Sequence, residues 1–134
     1  MKRHNPGFLK LVESALKSVP EIGVEQVRAK LAGKSFFHFF DVREDHEWEA
    51  GHAAGAKHLG KGIIERDIES LAPDPASEIV LYCGGGFRSA LSADNLQKMG
   101  YRNVHSMAGG WRAWVAAGAP IEKAPHRPGV SGHS

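Results

Sequence analysis

Cysteine is almost absent from this chain of 134 residues, which carries a single one at position 83. A lone cysteine can form no internal disulfide, and it cannot build a cysteine-rich zinc site. The sequence therefore gives no sign of an oxidising compartment or of a structural metal. Two roles remain for Cys83: a small apolar residue of the core, or a reactive thiol.

Long apolar runs and clustered positive charge are missing as well. The apolar runs extend over a few residues, whereas a helix that crosses a bilayer needs roughly 20. The start Met-Lys-Arg-His is followed by Asn-Pro-Gly rather than by the apolar core of a signal peptide. Lys and Arg are spread along the chain and the formal net charge is +2, which argues against a basic stripe for nucleic acid. We expect a cytoplasmic protein that binds neither membranes nor nucleic acids.

The chain does have the composition of an ordinary globular domain. Hydrophobic residues make up 42% of it and charged residues 24%, far from the values of disordered or collagen-like sequences. A length of 134 residues fits one domain with one hydrophobic core.

Helical and strand patterns alternate along the chain. Asn5 and Pro6 precede apolar residues at steps of three and four, which predicts a capped helix that ends at Pro20. The runs SFFHFFDV (35–42) and EIVLY (78–82) are almost continuously apolar, as is typical of strands buried on both faces of a parallel sheet. The other predicted elements are helices at 23–31, 45–50, 61–71, 88–99 and 111–117 and strands at 55–59 and 103–107.

This alternation predicts an α/β fold with an open, mainly parallel sheet flanked by helices on both faces, in three layers α/β/α. Ligand sites in such sheets lie outside the carboxyl ends of the strands. Cys83 directly follows the run EIVLY, so we expect it at that edge. Residues 122–134 are rich in proline, glycine and histidine, which predicts a flexible, unstructured tail.

The three glycines after Cys83 leave the loop without side chains. Glycine adopts backbone conformations closed to other residues, so successive N–H groups can turn toward one point, which here would be the sulfur. A helix that begins near Arg88 would add the partial positive charge of its N-terminus, and the guanidinium adds a full charge. These features favour a thiolate nucleophile whose adduct is negatively charged, with backbone donors in place of a histidine base.

Other readings of this loop stay open. The glycines can also form a simple flexible turn beside a buried, inert cysteine. A nucleotide-binding P-loop is disfavoured because no Gly-Lys-Ser/Thr follows at the required spacing. Four residues separate Cys83 from Arg88, whereas cysteine-based phosphatases place five between them. The tighter ring favours a small adduct such as a persulfide over a phosphate or arsenate.

The chain contains, in this order, FDVREDHEWEAGHAAGAKHL (40–59), VLYCGGGFRSA (80–90) and VHSMAGGWRAWVAAGAP (104–120). These three ordered motifs resemble the rhodanese (thiosulfate sulfurtransferase) family, in its single-domain type. The resemblance implies a parallel α/β fold and a catalytic Cys83 that carries a persulfide. It also implies that the substrate-binding loop consists of Gly84, Gly85, Gly86, Phe87, Arg88 and Ser89.

The resemblance covers roughly residues 22 to 120, so we predict a domain at 21–121 and a helical extension at 1–20 outside it. That extension could pack on the sheet or pair with a second copy of the chain. The chain departs from the family signature at Ala53 and Ala54, where a bulky aliphatic pair is usual, and we expect this to alter packing rather than function.

The function implied is a sulfurtransferase that moves a sulfane sulfur from a donor such as thiosulfate to cyanide or a thiol. We expect neither a metal nor an organic cofactor, and a protein thiol is a further candidate partner. The alternatives are a persulfide carrier or sulfur-relay module with little turnover and, less favoured, a cysteine-based phosphatase or arsenate reductase.

Two pairs of polar residues have structural interpretations. Asp41 and Arg43 follow the first strand, and we interpret them as an ion pair that supports the neighbouring loop, because charges near a core are usually paired. His52 and His58 lie six positions apart without a further ligand cluster, so hydrogen bonds to the backbone are favoured over metal binding.

Overall fold

The computed structural model describes residues 4–33 and 36–123. Within those ranges no helix is both long and apolar enough to span a bilayer. The helices are α1 (Pro6–Leu16), α2 (Val24–Ala32), α3 (Asp45–Ala50), α4 (Ile64–Leu71), α5 (Phe87–Lys98) and α6 (Gly110–Ala116). The strands are β1 (Glu21–Ile22), β2 (His38–Asp41), β3 (His52–Ala53), β4 (Lys57–His58), β5 (Ile79–Tyr82), β6 (Val104–Met107) and β7 (Ile121–Glu122).

Five of the strands form one parallel sheet with the order β1-β6-β5-β2-β4. The central strand is β5, which ends one residue before Cys83. Strands β3 and β7 form a separate antiparallel pair. The open parallel sheet predicted from the alternation of elements is therefore confirmed, and it brings Cys83 to the carboxyl edge at the middle of the sheet.

Both faces of the sheet are covered, as the apolar run EIVLY predicts. Alternate residues of β5 point to opposite sides: Ile79 and Leu81 join one buried cluster with residues of α4 and α5. Val80 and Tyr82 join the other, which contains residues of α2 and α6, among them the fully buried Trp114. Three layers result, and they fix the position of the Cys83 loop from both sides.

Strands β1, β3 and β7 were not predicted, because a pair of residues carries no periodicity, whereas the strand predicted at 55–59 corresponds to the two-residue strand β4. The predicted strand at 35–42 is shorter in the structure, where its pairing begins at His38, and its first residue, Ser35, lies outside the described residues. The predicted helix at 61–71 begins three residues later, at Ile64. The tail predicted from 122 overlaps β7 at Glu122, and residues 124–134 lie outside the described part of the chain.

Helix α1 packs against α5 through a small buried stripe. Val12 and Ala15 are buried, Val19 reaches the core cluster on the α4 and α5 side of the sheet, and the Gln97 side chain donates a hydrogen bond of 2.9 Å to the Ser18 carbonyl. The helix therefore docks on the domain in this structure. The division of the chain into an extension at 1–20, a domain at 21–121 and a tail remains a prediction.

Candidate active site

Cys83 lines a cavity of about 460 Å³ at the carboxyl edge of the sheet. Cys83 is only 1% exposed. A reactant would therefore reach the thiol through the cavity rather than across an open surface. The other wall residues come from four places: the chain around the start of α1, the start of α3, the loop with the start of α5, and α6. They are His4, Phe8, Glu44, His46, Glu47, Gly84, Gly85, Phe87, Arg88 and Arg112.

The sulfur of Cys83 accepts hydrogen bonds from two backbone amides at the beginning of α5. The Gly86 N–H lies 3.1 Å from Sγ and the Ser89 N–H 3.3 Å. Gly86 has φ of 102°, a left-handed conformation that is costly for any residue with a side chain. The loop therefore bends so that the helix N-terminus, with its partial positive charge, faces the sulfur.

Two serine hydroxyls extend the hydrogen-bond network from the sulfur of Cys83. Ser89 Oγ lies 3.5 Å from the sulfur and 2.8 Å from Ser106 Oγ, and both serines are fully buried. Ser89 can donate its proton to a sulfur anion while it accepts one from Ser106. Ser106 was not predicted, because it is distant in sequence and reaches the site only through the pairing of β6 with β5.

The charge of Arg88 is shared with a carboxylate. Its two terminal nitrogens donate to the two oxygens of Glu47, at 3.0 and 3.2 Å. This bidentate pair holds the pKa of Glu47 at about 2, so the carboxylate is ionised at any physiological pH. The same pair, and to a smaller degree the Cys83 side chain, raises the pKa of Arg88. The guanidinium therefore acts near the sulfur as part of a neutral pair.

We expect Glu47→Gln to reduce the sensitivity of the fold to acid. The folded-state pKa of about 2 lies below the ordinary value of 4.5, so the carboxylate contributes stability that is present above pH 4.5 and is lost as the pH falls toward 2. Between these values the wild type should lose on the order of 2 kcal/mol more than the variant. Urea unfolding across this pH range measures the difference.

Glu49→Gln is the matched control for this measurement, because Glu49 lies on the same short helix and is exposed. Its unfolding free energy should follow the wild-type pH dependence. Equal acid sensitivity of Glu47→Gln and the wild type would contradict the conclusion that the Arg88–Glu47 ion pair stabilises the fold.

The start of α6 braces the loop from the side opposite α5. The Trp111 N–H donates to the Cys83 carbonyl at 2.7 Å, and the Arg112 N–H donates to the Gly84 carbonyl at 3.1 Å. Gly110 has φ of 53°, and a Cβ there would collide with the Cys83 carbonyl. The paired glycines before α6 thus permit the close approach that holds the loop in place.

A second buried cluster supports the site without lining the cavity. The Arg43 guanidinium donates to Asp41 Oδ2 at 2.8 Å and to the Gly51 carbonyl at 2.6 Å. The Tyr82 hydroxyl donates to the same carboxylate oxygen at 2.6 Å and accepts from the Ala53 N–H. Burial and the neighbouring carboxylate raise the pKa of Tyr82. The interpretation of Asp41 and Arg43 as a structural ion pair agrees with these contacts.

The two histidines weighed for metal binding contact the backbone instead. His52 Nδ1 lies 3.1 Å from the Trp48 carbonyl and His58 Nε2 lies 2.8 Å from the Arg43 carbonyl. Across residues 4–33 and 36–123, no three His, Cys, Asp or Glu side chains are grouped so that they could hold a metal ion.

The structure thus brings the residues of the Cys83 loop together, in two roles. Gly86 and Ser89 contact the sulfur, whereas Gly84, Gly85, Phe87 and Arg88 form cavity wall. Several wall residues were missed by the sequence analysis. For Glu47 and Arg112 the signal lay in two of the quoted motifs, but for His4 and Phe8, which come from the N-terminal extension, the sequence offered none.

Comparison with known proteins identifies the family. Residues 23–117 match the family model of the rhodanese-like domain. The chain belongs to the rhodanese-like family. This confirms the resemblance carried by the three ordered motifs, and it leaves helix α1 and the two cavity-wall residues His4 and Phe8 outside the matched segment.

Individual relatives of this rhodanese-like chain have different descriptions. Thiosulfate sulfurtransferase 18 of Arabidopsis thaliana is 26% identical over 132 residues, which cover 90% of this chain and 97% of the relative. YrkF of Bacillus subtilis, named as a proposed sulfur carrier, is 32% identical over 98 residues, or 73% of this chain. The matched segment spans about half of YrkF, 52% of its length.

A solved structure is similar over nearly the whole chain. RPA3614 of Rhodopseudomonas palustris, a protein of unknown function whose description suggests a tyrosine phosphatase, superposes with a TM-score of 0.77 and 30% identity. The similarity covers 91% of this chain and 99% of RPA3614. The similar proteins are therefore described as a sulfurtransferase, as a proposed sulfur carrier and as a possible phosphatase, and the choice for this chain has to come from its own site.

Proposed function

We propose that this rhodanese-like protein is a sulfurtransferase that works by double displacement through a persulfide on Cys83. The thiolate attacks the outer sulfur of a donor such as thiosulfate, a Cys83 S–S bond forms, and sulfite leaves with the electron pair of the cleaved bond. A thiophile such as cyanide then attacks the outer sulfur of the persulfide. The product leaves as thiocyanate and the Cys83 thiolate is regenerated.

The observation that supports this proposal best is the convergence of donors on Sγ. Two amides and the Ser89 hydroxyl lie within 3.5 Å of the sulfur, and an inert core cysteine has no need of them. Preorganised donors in a site of low dielectric stabilise a sulfur anion without any reorganisation of solvent. The same donors stabilise the Cys83 thiolate when it attacks the donor sulfur and when it leaves the persulfide.

The test is steady-state thiocyanate formation from thiosulfate and cyanide, together with intact-mass measurement after thiosulfate treatment. We expect turnover, and we expect the mass to increase by one sulfur atom that maps to Cys83. Failure to form either product would overturn the proposal.

A carrier role is the second candidate, because YrkF is named as a proposed sulfur carrier. In that case Cys83 would accept sulfur from a protein persulfide, such as that of a cysteine desulfurase, while thiocyanate formation from small donors would be absent. The two candidates are separated by comparing these two reactions on the same preparation.

A phosphatase is disfavoured by the loop itself. Its four residues between Cys83 and Arg88 are one fewer than cysteine phosphatases use, and the Arg88 charge is already paired with Glu47. We therefore expect no hydrolysis of p-nitrophenyl phosphate by the wild type. Robust hydrolysis would favour the activity suggested for RPA3614.

A further inference from the structure

An aromatic wall, formed by His4, Phe8 and Phe87, closes one side of the cavity. The ring centroids of His4 and Phe87 are 5.1 Å apart in an edge-on arrangement, and those of Phe8 and Phe87 are 6.0 Å apart. His4 and Phe8 are 5.2 Å apart. The three rings contact one another at distances typical of aromatic clusters, and all three residues line the cavity.

Two of these rings come from outside the segment that matches the family model. The rhodanese-like match begins at residue 23, whereas His4 precedes α1 and Phe8 lies in its first turn. The buried stripe of Val12 and Ala15 fixes α1 on the domain. The helix therefore adds an apolar surface to a site whose sulfur-holding loop is complete without it.

The cavity is larger than the small donor requires. Thiosulfate has five heavy atoms and would occupy roughly 150 Å³ if each takes about the volume of one water molecule. The cavity measures about 460 Å³, within the range of sites for organic ligands. The aromatic wall is one of the surfaces that bound this larger space.

Two arginines, Arg88 and Arg112, and two glutamates, Glu44 and Glu47, line the cavity, and the position of Arg112 indicates what this space accepts. Arg88 is neutralised by Glu47. Arg112 is exposed, and among the residues that the structure describes it forms no ion pair; its Nε lies 3.5 Å from the Gly84 carbonyl. Its guanidinium passes close over Gly85, where a Cβ would collide with it. It is therefore a cation beside the Cys83 loop that can pair with a carboxylate of a substrate.

We propose that the acceptor of the persulfide sulfur is an organic thiol that carries a carboxylate and an apolar or aromatic group. Its carbon skeleton packs on the aromatic wall and its carboxylate pairs with Arg112. The acceptor thiolate attacks the outer sulfur of the Cys83 persulfide, forms an organic persulfide, and returns the thiolate to Cys83. This inference rests on the proposed sulfur transfer and specifies its second substrate.

The test measures sulfite release from saturating thiosulfate with cyanide and with 4-mercaptophenylacetate as acceptors. In Phe8→Ala we expect the ratio of kcat/KM for the aromatic thiol to that for cyanide to fall about five-fold, through the KM of the thiol. Leu11→Ala is the matched control, since Leu11 is on the same helix and is 61% exposed; its ratio should equal that of the wild type. Phe8→Leu keeps an apolar side chain on the wall, so its ratio of kcat/KM values should lie between those of Phe8→Ala and the wild type.

The carboxylate is tested separately with Arg112→Gln. We expect the preference for 4-mercaptophenylacetate over 4-methylbenzenethiol, which lacks the carboxylate, to fall about five-fold. Sulfite release with cyanide but an unchanged acceptor ratio in Phe8→Ala would overturn the aromatic wall as an acceptor subsite and leave the sulfurtransferase proposal standing. Absence of sulfite release with every acceptor would overturn both.

Discussion

Cys83→Ser is expected to lower thiocyanate formation by a factor of roughly a thousand or more, to the background of the assay, because it removes the only atom that can hold the transferred sulfur. An oxygen in the same place is a far weaker nucleophile and has no helping base, since the donors around it are amides and the Ser89 hydroxyl. The mass of the variant should not change after thiosulfate treatment.

Loss of folding has to be separated from loss of chemistry in this experiment. The thiol is 1% exposed and belongs to the core cluster on the α4 and α5 side, so serine should cost on the order of 1 kcal/mol of stability. Cys83→Ala keeps an apolar residue in place and should be just as inactive. Residual turnover in either variant above the assay background, with a native unfolding profile, would contradict a persulfide on Cys83.

Much of the fold could be predicted because its major strands and helices carry strong periodic or continuous apolar patterns. The run EIVLY is buried on both faces, and α3 has the predicted bounds, Asp45 to Ala50. Strands β1, β3 and β7 are two residues long and exist only because neighbouring backbone completes their hydrogen bonds. No local pattern can specify them, because their stabilisation is tertiary.

The candidate site likewise contains residues that the sequence could predict and residues that it could not. The Cys83 loop is contiguous, so its glycines, its arginine and its serine appear together in the sequence. Glu47 and Arg112 reach the cavity from α3 and α6, and Ser106 on β6 reaches the Ser89 hydroxyl; their positions depend on strand order and on how the helices dock. His4 and Phe8, before and in α1, are furthest from prediction, because an amphipathic helix does not reveal the surface on which it packs.

Arg43→Met is expected to lower the free energy of unfolding by about 3 to 5 kcal/mol, the cost of leaving a buried charge without its partner. Asp41 is fully buried and the Arg43 side chain is 4% exposed, so water cannot replace the lost guanidinium. Unfolding in urea at neutral pH measures the change. Arg66→Met is the matched control, because its pair with Asp67 lies at the surface, where Arg66 is 73% exposed; it should leave the free energy of unfolding nearly unchanged.

A double variant separates the charge from the packing of this cluster. In Asp41→Asn/Arg43→Met no unpaired charge remains, so we expect it to be more stable than Arg43→Met alone by about 1 to 3 kcal/mol. The Tyr82 hydroxyl would still find an acceptor in the asparagine oxygen, in place of the carboxylate that it now contacts. If the double variant is no more stable than Arg43→Met, the loss comes from contacts such as the one between Arg43 and the Gly51 carbonyl, rather than from the buried charge. In that case the cluster would support α3, and with it Glu47, by hydrogen bonding to the backbone alone.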